Sequence, residues 1–274
     1  LLGWLASGSE VPVAFILGSA LVLAVPIILG AMAGVMSERV GVVNIAIEGQ
    51  LLTGAFMAAV VSTITGNQIL GLVSASLTAA LFSAVLAVFA VRFLAQQIIV
   101  GVVLNVLAIG ITNFLYQQWL TEDESATNSP GTLPIISIPF LSDIPIVGPV
   151  LFQNRITVFM AIAIVILLWV ILFKTKLGLR ARAVGEHPLA ADTVGINVGR
   201  TRFWWVTLGG LVAGLGGATL TIGSAGSFGR EMSGGLGFIA LAVVILGRWH
   251  PGYATAAALL FGFSIILRIW ANQV

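Results

Sequence analysis

Cysteine is absent from the 274 residues, which removes disulfides, thiolate nucleophiles and cysteine-based metal sites together. Histidine occurs twice, at His187 and His250, both in polar interruptions, so no HExxH pair or histidine cluster can hold a metal. Lysine also occurs twice, at Lys174 and Lys176, and neither follows a glycine. The GxxxxGK[ST] loop that cradles ATP phosphates is therefore missing. No aspartate falls inside an apolar run, which argues against intramembrane aspartyl proteolysis, and Ser/His/Asp catalysis has no plausible geometry. Charge is scarce at 8% of residues, against ~25% in a soluble domain. An enzyme is not expected, and neither is a cofactor. The net charge of +2 with a pI near 9.5 does not point to nucleic acid, because the basic residues lie in loops beside apolar runs.

What is present is oil. Hydrophobic residues make up 59% of the chain and the mean hydropathy is +1.11. The apolar runs exceed the ~18 residues that a bilayer core ~30 Å thick requires of a helix. Strict alternation over ~10 residues, the mark of a membrane barrel, is not found. The fold class read from this is an all-α polytopic membrane protein, one transmembrane domain over residues 1–274. About eight segments are visible: residues 12–36, 45–65, 69–91, 98–119, 155–173, 203–224 and 253–270, with a shorter apolar piece at 236–247. That last piece cannot cross alone as a straight helix. Pro26 should kink the first span, and residues 1–11, with Trp4 and Glu10, read as an interfacial lead. Glycine is abundant at 32 residues, and the pairs Gly30/Gly34 and Gly210/Gly214 have the GxxxG spacing of close helix packing.

Two long polar stretches interrupt the oil. Residues 121–154 hold Glu122, Asp123, Glu124 and Asp143, and their five prolines forbid a continuous helix. Lys174–Arg202 holds six of the twelve basic residues. Placing this basic loop in the cytoplasm puts nine basic residues inside and three outside, with the acidic cluster outside. The same parity starts the chain outside, which points to an earlier span or a different first one.

The basic loop carries internal start and stop signals. Glu186-His187-Pro188, then LAADTV, then Gly195 spell a short helix, since proline suits the first helical position and glycine the end. Leu189, Ala190, Thr193 and Val194 would form an apolar face flanked by Arg180, Arg182, Arg200 and Arg202. Such a helix lies on a membrane or plugs into a partner's groove. Upstream, SERVGVVNIAIEGQLLTGAF (Ser37–Phe56) places Asn44 and Glu48 four apart on one helix face. A carboxylate at membrane depth is costly and faces the bundle interior. Two readings stand: a pathway or gate residue, or a structural pairing with Arg39 or with backbone. The segment Gly235–Gly247 is similar in kind to Val43–Gly54, apolar with glycine at its ends, and runs in the opposite sense.

These three stretches, in this order and spacing, resemble the permease subunit of a type II ABC importer of the branched-chain amino acid, ribose and nucleoside group. The nearest resemblance is to bacterial nucleoside importer permeases, whose pattern ERxGVVNIGxEG this chain matches except for Ala46 in place of glycine. The resemblance covers roughly residues 35–270. It implies a type II importer permease fold with inverted repeats in the bacterial cytoplasmic membrane. It further implies that residues 174–202 are a coupling loop, with Arg182, Gly185, Glu186, His187, Pro188, Leu189, Ala190, Ala191, Asp192 and Gly195 engaging a separate ATPase subunit. Asn44, Glu48 and Gln50 would line the translocation pathway together with Asn105 and Asn113 of the fourth span. The implied partners are that ATPase, a second permease (a paralogue or another copy), an extracytoplasmic substrate-binding lipoprotein and membrane lipid. The implied cargo is a small polar solute, a nucleoside first and ribose or a branched-chain amino acid as alternatives. From the residues alone, two rivals remain: an ion-coupled secondary transporter, for which only Glu48 is available as an intramembrane acid, and a non-transporting scaffold.

Overall fold

The computed structural model describes residues 13–120, 127–137, 139, 142 and 148–271. Trp4, Glu10, Glu122, Asp123, Glu124 and Asp143 lie outside the described residues. Ten helices are present among the described residues. They are α1 (Val13–Glu38), α2 (Ile47–Thr65), α3 (Gln68–Ala87), α4 (Gln97–Trp119), α5 (Ile156–Lys174), α6 (Lys176–Glu186), α7 (Pro188–Thr193), α8 (Val198–Leu220), α9 (Leu236–Leu246) and α10 (Pro251–Ala271). Wider π-helical turns extend α3 through Val88–Arg92 and α8 through Thr221–Ala225. Seven of the helices are long and apolar enough to span, and α9 is the short eighth piece expected from the sequence. Its 11 residues rise about 16 Å, roughly half of the hydrocarbon core.

Helix ends follow local chemistry. Asn67 caps α3 by accepting from Ile69 N at 2.9 Å and Leu70 N at 3.3 Å, after Gly66 turns the chain at φ +64°. Asn197 caps α8 by accepting from Arg200 N at 2.8 Å. Among the described residues the proline-rich stretch forms a two-stranded antiparallel ribbon, β1 (Ile135–Ser137) with β2 (Gln153–Arg155), pairing Ile136 with Asn154, and a π-helical turn at Gly148–Phe152.

The helices sort by what they face. In the spanning windows of α1, α2 and α8, 67–78% of residues are buried, whereas the windows of α3, α4, α5 and α10 bury 22–33%. The first three are the core and the rest present apolar side chains outward. Small residues set the spacing. Gly30 and Gly34 admit Ala240 and Val244 of α9, while Gly210 and Gly214 admit the backbone of α3 around Ala75–Ala80. Both GxxxG pairs are thus helix contacts, where backbones approach and dispersion replaces the hydrophobic drive that lipid cannot supply. The 30/240 and 34/244 pairings also show that α9 runs beside the inner half of α1. Its start is level with about Ile27, about 16 Å from Glu38 at 1.5 Å per residue.

Candidate functional site

The polar side chains singled out in the sequence fall at three depths along the bundle. At the end bearing the basic loop, α6 docks on the α1–α2 turn. Gly185 lies so close to the Arg39 carbonyl that no Cβ fits between them, and Gly41 turns there at φ +80°. Arg202 Nε donates to Val40 O at 2.9 Å, and Arg39 Nε donates to Trp249 O at 2.9 Å. The Trp249 indole donates in turn to the Glu38 carboxylate. The Arg39 and Arg182 guanidiniums lie 5.7 and 5.2 Å from the Phe173 ring centroid. Burial, then the neighbouring Arg182, lowers the Arg39 pKa from its ordinary value, and Glu186 opposes them. His250 sits 5.0 Å from Phe173 and 4.6 Å from Tyr253, ring to ring. Its pKa is also lowered, by burial first and by Arg39 second.

Beyond this docking point, α7 stands free. His187 precedes Pro188, the first helical residue, and Gly195 closes the end at φ +82° with Ile196 N donating to Ala191 O at 3.0 Å. Ala191 is buried beneath it, but Leu189 is 84% and Val194 74% exposed. Ala190, Asp192 and Thr193 are exposed too, so the apolar face expected from the sequence has nothing packed on it among the described residues. The helix α6 is a feature the sequence reading missed. Its signal was Thr175, which accepts from Gly178 N at 3.3 Å to cap it.

From that inner end toward middle depth the chain from Arg39 to Ala46 is not helical, and polar side chains fill in for the missing helical partners. Asn44 and Gln50 exchange two hydrogen bonds, both at 3.2 Å, and both are fully buried. Asn105 of α4 reaches across to donate to Ile45 O at 2.9 Å and accept from Gly49 N at 2.8 Å. Gln97 accepts from Val43 N at 2.7 Å. Asn105 and Gln97 thereby satisfy backbone groups of Val43, Ile45 and Gly49 that lack helical partners.

Glu48 is 6% exposed and spends both carboxylate oxygens on the start of α9 and the turn leading into it. One accepts from Ser233 Oγ at 2.6 Å and Gly235 N at 2.8 Å, and the other from Gly237 N at 2.6 Å. It lies in the first turn of α2 and at the first turn of α9, so the positive ends of two helix dipoles meet on one anion. The geometry has Glu48 bound to backbone N–H groups and to Ser233, and it bridges the two similar glycine-flanked segments. Gly237 packs directly on the Glu48 backbone with no space for a side chain. Ser233 and Gln97 were not singled out in the sequence. Each is an ordinary polar residue whose role exists only across the fold.

Asn113 is separate from this set. It lies two turns outward of Asn105, where its Nδ2 donates to Glu231 Oε1 at 3.3 Å. The arrangement as a whole ties helices together, with no grouping of His, Asp and Glu among the described residues that could bind a metal.

Residues 16–273 match the family described as branched-chain amino acid transport system / permease component. The chain belongs to this permease family. The permease is 43% identical over 262 residues to the guanosine ABC transporter permease protein NupQ of Bacillus subtilis, covering 93% of this chain and 82% of that protein. It is 38% identical to the nucleoside ABC transporter permease protein NupC of Lactococcus lactis, covering 94% of this chain and 83% of that one. It is 34% identical to the putative glucose ABC transporter permease protein TsgC13 of Haloferax volcanii, covering 90% and 75%. No solved structure matches the chain. Family and helices together make the permease a multi-pass protein of the bacterial cytoplasmic membrane.

Proposed function

We propose that the permease forms the translocation pathway of an ATP-driven importer for nucleosides, while a separate subunit hydrolyses the ATP. The observation that carries the coupling half is α7: a capped helix whose Leu189 and Val194 are 84% and 74% exposed, rigidly tied behind to the α1–α2 turn. A cleft in a cytoplasmic ATPase covers that face. Arg182, Gly185, Glu186, His187, Pro188, Leu189, Ala190, Ala191, Asp192 and Gly195 are the coupling residues. Rigid-body motion of the ATPase cleft moves α7 and α6. Gly185, pressed on Arg39, passes the displacement to residues 39–46, and Asn44, Gln50 and Asn105 pass it to α2 and α4. Glu48 binds α9 to the same motion. Asn44, Glu48, Gln50, Asn105 and Asn113 border the route between the half-helices, on the permease's contact with a second permease. An extracytoplasmic lipoprotein delivers the solute to the outer loops.

The nucleoside assignment is supported by the names of NupQ and NupC at 43% and 38% identity. A hexose is the second reading, favoured by TsgC13 at 34%. The test is uptake of labelled guanosine and glucose into proteoliposomes holding the permease with its neighbouring ATPase, permease and lipoprotein. Guanosine accumulation that requires ATP and survives an ionophore is expected. Uptake driven by an ion gradient without ATP overturns the coupling. Glucose uptake without guanosine uptake overturns the cargo.

A further inference from the structure

Because α9 begins near mid-depth, the non-helical stretch 226–235 must descend from the outer end to reach it. Irregular backbone at that depth survives only where protein buries it or where it lines a wet cavity. Here it does both. Phe228 is 1% exposed, meets Phe56 edge to face at 5.2 Å and lies tilted against Tyr116 at 5.9 Å, ring to ring. Asn128 grips its backbone from both sides, accepting from Phe228 N at 2.8 Å and donating to Phe228 O at 2.9 Å. Phe56 lies eight residues outward of Glu48 on α2, about 12 Å along the axis. The chain therefore covers that drop between Phe228 and Gly235, with its upper end anchored and its lower end clamped by Glu48.

Between the anchors, four side chains converge on the outer end of α4. Glu231 is exposed and held at φ +51°, a left-handed conformation that strains a residue with a side chain. Gly234 N donates to Glu231 O at 2.9 Å and secures it. Asn113 donates to the Glu231 carboxylate at 3.3 Å, while its own Oδ1 is buried and accepts no hydrogen bond among the described residues. Arg230 lies 5.3 Å from the Tyr116 ring centroid. The set is a carboxylate, an unspent amide oxygen, and a guanidinium over an aromatic ring. Buried amide oxygens seldom stay unpaired, and strained residues concentrate at ligand clamps.

We propose that Asn113, Tyr116, Arg230 and Glu231 form a contact station for the solute in the outer half of the pathway. The exposed Glu231 carboxylate accepts from vicinal hydroxyls of the sugar, Asn113 holds that carboxylate in place, and the Arg230–Tyr116 pair stacks on the base. Carboxylates take ribose hydroxyls in this way in dinucleotide folds, and bases stack on guanidinium and aromatic planes. The proposal rests on the nucleoside reading above and names which part of the solute this chain recognises. Vicinal hydroxyls are also common to the ribosides and the hexose that the relatives' names mention.

The test uses the complete reconstituted importer, with guanosine and its 2′,3′-dideoxy analogue each supplied at concentrations that saturate the lipoprotein. The wild-type importer moves guanosine faster. Glu231→Gln and Asn113→Leu each lower guanosine uptake about tenfold, the loss of one charge-assisted or buried hydrogen bond, so the guanosine-to-dideoxyguanosine rate ratio falls toward one. Glu231→Asp, which keeps the charge but shortens the reach, falls between. An unchanged ratio in a variant of normal thermal stability overturns the station. If Glu231→Gln fails to assemble, the ratio in Glu231→Asp decides in the same way. If the wild-type complex moves neither nucleoside, the cargo reading of the preceding section fails instead.

Discussion

The Glu48 clamp makes the sharpest prediction, because its two readings part company in one experiment. In Glu48→Gln the shape is kept, but one oxygen becomes an NH2 group. The amide oxygen will take the position that serves both Ser233 Oγ and Gly235 N, since that saves two of three bonds. The NH2 then faces Gly237 N–H, and a buried donor is left opposed by another donor. A lost hydrogen bond to a charged group costs about 1.5–3 kcal/mol, so a destabilisation of about 2–3 kcal/mol follows. For a chain of this size that corresponds to roughly 5–10 °C in Tm. Ser233→Ala removes one donor and leaves none orphaned, for about 1 kcal/mol. The assay is tryptophan fluorescence during heating of the detergent-purified complex, beside uptake in proteoliposomes. Stability and uptake should fall together in Glu48→Gln, and the double variant with Ser233→Ala should cost less than the sum of the singles. Full thermal stability with abolished uptake would refute the clamp and place the carboxylate on the solute.

The remaining predictions concern the inner end. Leu189→Asp puts a charge on the exposed face of α7, and Gly195→Pro forces φ near −65° where the chain needs +82°. Each should leave the permease in the membrane, while ATP hydrolysis continues and uptake is lost. Retained uptake in both would argue against α7 as the coupling element. Gly185→Ala inserts a methyl against the Arg39 carbonyl. It should lower Tm and uptake, whereas the same change at Gly110, which has open space around it, should do neither. The lowered pKa of His250 means that the folded state binds fewer protons there than the unfolded one. That stability is complete above the ordinary histidine value of about 6.5 and declines as pH falls below it. Protonation also removes the Nδ1 lone pair that accepts from Gly252 N at 3.2 Å. Tm should therefore drop between pH 7.5 and 5.5, and His250→Phe should flatten that slope.

Much of this was legible from residues alone, and the reason is local. Spans follow from runs of apolar side chains in a solvent with no hydrogen-bonding capacity, so they need no knowledge of neighbours. The α7 element was equally open to reading, because Pro188 and Gly195 act through their own backbone angles. The sidedness emerged too. Arg39, Arg182 and Arg202 gather at one end, while Arg155, which donates to Leu133 O at 2.8 Å, sits at the other with Arg230.

The tertiary structure alone decided what the polar residues inside the oil are for. The spacing of Asn44 and Glu48 suggests one helix face, but Asn44 precedes α2, which starts at Ile47; it pairs with Gln50 while Glu48 reaches 185 residues along the chain to Ser233. Nothing in composition or spacing marks Ser233, Gln97 or Glu231. Sequence determines where a chain must enter and leave the membrane, since burial is a property of each segment. A buried hydrogen bond is a property of two segments, and only their packing brings donor and acceptor within 3 Å.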